Sequence, residues 1–202
     1  GLVGSEMCIR DSKGGAGADI ITGGGAGDTI VGNAGVDTIT GGAGSDIITG
    51  GDGDDIITID SGSDIVTDLG GSSGSDSDVV VVDSGATLNA TGIKGFTATS
   101  STQNNSSDAN NAVLTAADGS NVTISVASAT GSSKAFKLVG GTGQDSLTGG
   151  AGNDIILGNN ANDTIKGNDG NDVLTGGAGD DELHGGNGDD IFNISSGSDT
   201  IK

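Results

Sequence analysis

No proline, tryptophan or tyrosine occurs in the 202 residues, and phenylalanine occurs three times, against 42 glycines. By composition alone this is the profile of a flexible glycine-rich linker. The only cysteine is Cys8, which excludes a disulfide framework. The longest purely apolar run is Val79 to Val82, far below the roughly 20 residues of a spanning helix, so no membrane span is expected. No secretory signal peptide is visible. There is one histidine, and no Ser/His/Asp or Cys/His set and no phosphate-cradling loop, so the chain is not expected to be an enzyme. Bases are scarce as well: seven Lys and Arg face 28 Asp and Glu, a formal net charge of −21. Such a surface excludes nucleic acid and anionic membranes as partners and attracts cations.

What is present is a strict period of nine. Gly140 to Lys202 divides without remainder into GGTGQDSLT, GGAGNDIIL, GNNANDTIK, GNDGNDVLT, GGAGDDELH, GGNGDDIFN and ISSGSDTIK. Gly14 to Thr67 divides into GGAGADIIT, GGGAGDTIV, GNAGVDTIT, GGAGSDIIT, GGDGDDIIT and IDSGSDIVT. A linker has no reason to keep such a period, and a period is the signature of a repeat architecture. All thirteen blocks follow G-G-x-G-x-D-x-U-x, with U a large aliphatic residue or Phe. Position 6 is Asp19, Asp28, Asp37, Asp46, Asp55 and Asp64 in the first array and Asp145, Asp154, Asp163, Asp172, Asp181, Asp190 and Asp199 in the second. Positions 7 to 9 are rich in Ile, Val and Thr and predict a three-residue strand after a glycine-rich turn, with position 8 facing one side and positions 7 and 9 the other.

Each position has a chemical use. Glycines at positions 1, 2 and 4 permit positive φ and a turn that aims several backbone carbonyls at one point. The position 6 carboxylate adds a charged oxygen. Calcium takes six to eight hard oxygen ligands of these two kinds, and no soft or nitrogen ligand recurs that would suit zinc or copper. His184, at position 9 of one block, is expected to be a surface residue and no ligand. The candidate ligands are therefore the thirteen aspartates, with the carbonyls of Gly15, Gly17, Gly42, Gly44, Gly51, Gly53, Gly141, Gly143, Gly150, Gly152, Gly177, Gly179, Gly186 and Gly188. Two blocks predict one coil of eighteen residues, so that loops n and n+2 stack on one edge and successive strands pair in parallel about 4.8 Å apart. If each site needs two stacked loops, the first array offers four sites and the second five. One coil buries only two position 8 side chains, each worth about 1.5–3 kcal/mol, while like carboxylates stack on each edge. The arrays are thus expected to be expanded without calcium and folded with it.

The blocks resemble the RTX (hemolysin-type) repeats of secreted Gram-negative bacterial proteins, and this nonapeptide is a known example of a calcium-binding parallel β-helix repeat. The resemblance implies an all-β fold, a right-handed parallel β-roll filled with several Ca2+ ions, as a module of a larger extracellular protein. It also implies export by the type I secretion machinery through an uncleaved C-terminal signal, with folding on calcium outside the cell. Two alternatives for the parent are an extracellular surface-layer or adhesin protein, in which the repeats are structural, and a secreted hydrolase that they follow. Departures from the motif are Ala26 and Ala161 at position 4, Asn33, Asn159 and Asn168 at position 2, and Ile59-Asp60 and Ile194-Ser195 for the leading glycines. Sites around Ala26, Ala161, Ile59 and Ile194 are expected to be the weakest.

Residues 1–12 lie outside the pattern, and Leu2 to Ser12 resembles a translated sequencing adapter, so this tail is expected to be non-native. The first array is then 13–67. Residues 68–139 lose the motif and carry −3, against −9 for each array. Asp78 to Val82, Ala112 to Ala116, Val122 to Ala127 and Ala135 to Val139 predict short strands, Ala117 to Ser120 a turn, and Ser100 to Asn111 a loop. With only Phe96 and Phe136 as aromatic core material, this spacer is expected to be a β-rich, degenerate continuation of the solenoid rather than an independent globular domain. Its 72 residues are a multiple of nine. The second array is 140–202. The matching ends of the two arrays, GGDGDDIITIDSGSDIVT and GGNGDDIFNISSGSDTIK, suggest a fragment cut at both ends.

Overall fold

The computed structural model describes residues 11–70, 76–106, 109, 112–119, 121–131 and 134–202. The tail set apart above falls, over residues 1–10, outside the described residues. Asp11–Lys13, by contrast, is a strand that pairs in parallel with Thr29 to Val31, so Ser12 stands in the position 8 column beneath Ile30.

The repeats wind into a parallel β-roll. Every strand pair is parallel, as a coil that always advances in one direction requires. Within each array the partners lie eighteen residues apart: Ile30 pairs with Ile48, Ile39 with Ile57, Ile156 with Leu174 and Ile165 with Leu183. Position 8 points inward, and Ile30, Ile39, Ile48, Ile57, Ile156, Ile165, Leu174 and Leu183 are all fully buried. Many array strands are longer than three residues, because the first part of the loop stays in the ladder, although Ser146–Thr148 and Ile191–Asn193 keep to three. Ile155–Asn160 pairs with Val173–Ala178 as far as Asn160 and Ala178.

The ladder does not stop at the spacer. On one face the inward column runs Ile30, Ile48, Val66, Ala90, Leu114, Leu138, Ile156, Leu174, Phe192, with each residue paired to the next. The opposite face is built from two ladders: Ile21, Ile39, Ile57 and Val80, and then Phe96, Ile124, Leu147, Ile165, Leu183 and Ile201. What changes is the coil length. Asp64 pairs with Leu88, and Leu88 with Ala112, so these coils take twenty-four residues where the arrays take eighteen. Three long coils occupy as many residues as four short ones, which is why the spacer is a multiple of nine although its period is different. The added residues enlarge the core with Leu69, Ala86, Ile93, Ala116, Val122 and Val126.

The expected spacer strands appear as Val79–Val82, Ala112–Ala116, Thr123–Ser125 and Lys137–Val139. Thr87–Ile93 and Phe96–Thr97 lack the nonapeptide glycines and were not expected from sequence. Gln103–Asn104, inside the expected loop, pairs with Val81 and Val82. Among the described residues no helix is long and apolar enough to cross a membrane.

Candidate metal centre

The position 6 aspartates point inward at the two edges of the roll, under the turns. Asp37, Asp55, Asp64 and Asp172 are 0% exposed, whereas Asp19, Asp190 and Asp199, at outer coils, are half-buried. Apart from Asp28, whose Oδ1 is buried without a partner, one oxygen of each buried carboxylate has a defined task. The Oδ1 of Asp37 accepts the backbone N–H of Asp19 at 2.8 Å, that of Asp55 accepts the N–H of Asp37 at 2.8 Å, and that of Asp46 accepts the N–H of Asp28 at 2.8 Å. The second array repeats this: Asp163 to Asp145, Asp181 to Asp163 and Asp172 to Asp154, each at 2.8 Å. Each of these carboxylates thus ties its own turn to the turn one coil earlier.

The second oxygen is often left over. The Oδ2 atoms of Asp37, Asp46, Asp55, Asp64, Asp163, Asp172, Asp181 and Asp199 are buried without a hydrogen-bond partner. A buried, unpaired carboxylate oxygen is strongly unfavourable. Protonation, a hydrogen-bond donor or a nearby positive charge relieves it. Burial pushes Asp55, Asp64, Asp163 and Asp172 up to about 6 from an ordinary 3.8, and pushes Asp154 up to about 7 although both of its oxygens accept backbone N–H groups.

The space beside these oxygens suits a small hard cation. A Cβ added at Gly32 would collide with both Asp37 Oδ2 and the carbonyl oxygen of Gly50. At Gly158 it would meet Asp163 Oδ2 and the carbonyl of Gly176, and at Gly167, Asp172 Oδ2 and the carbonyl of Gly185. Carboxylate and carbonyl oxygens from two stacked turns therefore converge on the same gap, which only glycine leaves open. Among the described residues no three His, Cys, Asp or Glu side chains cluster as a metal site. A cation here must take much of its coordination from carbonyls, which is calcium-like chemistry.

The remaining candidates fall into columns along the edges. Position 4 glycines stack as Gly17–Gly35–Gly53, Gly44–Gly62, Gly152–Gly170–Gly188 and Gly179–Gly197. At position 2, Gly51 lies over Asn33, Gly177 over Asn159 and Gly186 over Asn168. Some carbonyls are already engaged: those of Gly15, Gly150 and Gly177 accept the N–H of Ala34, Asp169 and Ser196, and that of Gly42 accepts the Ser61 hydroxyl at 3.3 Å. Gly141 lies against the carbonyl of Ala117, and Gly143 is in the turn below Ala161. His184 sits on the outer face, bonded to Glu182 at 2.5 Å.

One residue of the stack is missing from the motif reading. Asp78 is 0% exposed, its Oδ1 accepts the Asp55 N–H at 2.9 Å, and its Oδ2 accepts the Gly70 N–H at 2.6 Å. It continues the column Asp19, Asp37, Asp55 at an offset of twenty-three residues. The signal in the sequence is its place directly before the Val79–Val82 strand, as every position 6 aspartate precedes its own strand.

The RTX calcium-binding nonapeptide repeat matches the chain in four copies, over residues 13–39, 31–66, 137–165 and 166–201, more than half of its length. The chain belongs to the RTX family. Its repeats bind multiple Ca2+ ions, and the repeat is a structural calcium-binding element. No individual curated protein matches the chain. In this RTX chain, Asp37, Asp55, Asp163 and Asp172, with the neighbouring turn carbonyls, fit a calcium ion, which would supply the positive charge that the leftover oxygens lack.

A pH dependence follows for the calcium-free chain. Raised carboxyl values mean that the folded state holds protons more tightly than the unfolded one. Stability from this source is fully present below the unfolded value of 3.8 and is lost as pH rises through about 6 to 7. In chelator, acidification from pH 7.5 to about 4.5 is expected to increase the far-UV strand signal. In saturating calcium the same change is expected to weaken binding. A calcium-free signal that falls on acidification would refute the assignment of the buried carboxylates as the destabilising groups.

Proposed function

We propose that this chain is the calcium-switched folding module of a larger exported protein, expanded before export and folded by extracellular calcium. The observation that carries the reading is the set of buried Oδ2 atoms without partners, repeated coil after coil in both arrays. At neutral pH these carboxylates oppose the folded roll until a cation neutralises them. Export through a type I system, and a position in the extracellular space, are what the family resemblance supports. The thirteen aspartates and the turn carbonyls are the proposed ligands.

A calcium titration of the chain, followed by far-UV circular dichroism and calorimetry, tests this. The expected result is a cooperative coil-to-β transition between micromolar and millimolar calcium with several ions bound. A strand signal identical in chelator and in millimolar calcium would remove the switch. The reading would then pass to a permanently folded structural role. That second reading, a surface-layer or adhesin segment, draws support from the inward column that runs unbroken from Ile30 through the spacer to Phe192.

A further inference from the structure

Six of the gaps between stacked turns fall into two kinds, sorted by whether position 2 of the upper turn is asparagine or glycine. In the stack 14–22, 32–40, 50–58 the upper turn of the first gap carries Asn33, and that of the second carries Gly51. The stack 140–148, 158–166, 176–184 has Asn159 and then Gly177. The stack 149–157, 167–175, 185–193 has Asn168 and then Gly186. At each asparagine gap the side-chain amide reaches back to the position 1 carbonyl of the turn below. Asn33 Nδ2 donates to Gly14 O at 3.2 Å, Asn159 Nδ2 to Gly140 O at 2.7 Å and Asn168 Nδ2 to Gly149 O at 2.7 Å. At the same three gaps the aspartate of the lower turn is self-capped. Asp19, Asp145 and Asp154 each accept, on Oδ2, the N–H of their own position 2 glycine at 2.7 Å.

At the gaps under Gly51, Gly177 and Gly186 both bonds are missing. Position 2 of the upper turn has no side chain, and Oδ2 of Asp37, Asp163 and Asp172 is buried without a partner. The backbone explains the second difference. Position 2 of the lower turn is then Asn33, Asn159 or Asn168, with φ of 84°, 79° and 81°, while Gly15, Gly141 and Gly150 stay out of the left-handed region. A left-handed position 2 accompanies loss of the cap on its own aspartate. Each asparagine therefore does two things: its amide occupies the gap below, and its backbone conformation leaves the gap above unsatisfied. Asparagine is the side-chain-bearing residue best suited to both, because it tolerates φ > 0 and carries a donor.

We propose that Asn33, Asn159 and Asn168 are specificity-determining residues that close three gaps to calcium and direct the ions to the gaps whose position 2 is glycine. The inference rests on the calcium reading above. An amide hydrogen on the position 1 carbonyl and a backbone N–H on the carboxylate supply, as neutral donors, the positive partners that an ion would otherwise provide.

The test is ion counting on the full chain by native mass spectrometry in calcium, with long-wavelength anomalous diffraction from calcium-grown crystals to locate the ions. In the unaltered chain, ions are expected between 158–166 and 176–184 and between 167–175 and 185–193, with none between 140–148 and 158–166. Asn159→Gly with Asn168→Gly is expected to add two ions. The near-isosteric pair Asn159→Asp with Asn168→Asp, which removes the amide donors, is expected to add them too. Ions at the asparagine gaps of the unaltered chain, or counts unchanged in both double variants, would overturn the proposal. No ions anywhere would overturn the calcium reading itself, a distinct outcome.

Discussion

Gly167→Ala is expected to remove one calcium ion and to destabilise the second array by about 3 kcal/mol, at the upper end of the cost of overpacking a closed site. The new methyl would stand where Asp172 Oδ2 and the carbonyl of Gly185 converge. Neither can retreat easily: Asp172 is fully buried and its turn is bonded to Asp190, whose Oδ1 accepts the Asp172 N–H at 2.9 Å. Gly25→Ala is the matched control. An added Cβ there meets nothing within 4 Å, so its effect is expected to stay within about 0.5 kcal/mol with no ion lost. Calcium titrations monitored by calorimetry would measure both. Equal effects from the two substitutions would mean that the cost is merely that of losing a glycine in a turn. The carboxylate–carbonyl gap would then lose its standing as the ion site.

The second large effect concerns what survives in chelator. Along the edge where Asp28, Asp46 and Asp64 stack, the spacer puts Leu88, Ala112 and Phe136 in the aspartate's place, after which Asp154 resumes the column by accepting the Phe136 N–H at 2.7 Å. These coils therefore carry apolar contacts where the arrays carry charge. Asp78, the one buried aspartate among the described spacer residues, has both oxygens bonded. Hydrogen exchange of the full chain without calcium is expected to leave Val79–Val82, Thr87–Ile93, Ala112–Ala116 and Lys137–Val139 protected. Strands such as Thr164–Asp169 and Thr38–Gly44 should exchange at nearly unfolded rates. Uniform loss of protection would show that the spacer depends on the ions as much as the arrays do.

The roll itself was legible because its two deciding residues repeat. An aspartate at position 6 and an aliphatic residue at position 8, thirteen times over, fix both the turn and the inward face. The spacer was legible only as strands. Its coils lengthen to twenty-four residues, so no residue type recurs at a fixed interval, and three such coils return the chain to the same phase of nine. Thr87–Ile93 was missed for that reason. Asp78 was missed because the longer stretch before it shifts it out of register, although its place before Val79 is that of every other ligand candidate. The two kinds of gap could not be read from sequence at all. Asn33, Asn159 and Asn168 look like tolerated replacements of glycine until the directions of their amides and of the neighbouring N–H groups are known.

The Oδ1 bonds between turns make each array a one-dimensional lattice. Asp163 holds the Asp145 turn, Asp181 holds the Asp163 turn, and Asp199 holds the Asp181 turn at 3.1 Å, so every coil is coupled to its neighbours and to little else. In such a lattice the steepness of a response is set by the number of consecutive coupled units more than by the affinity of any one of them. A break in the middle of a run halves the cooperative length, while the same break at its end removes a single unit. Run length thus becomes an adjustable quantity: adding or deleting eighteen-residue coils would sharpen or soften the calcium threshold without altering a single ligand.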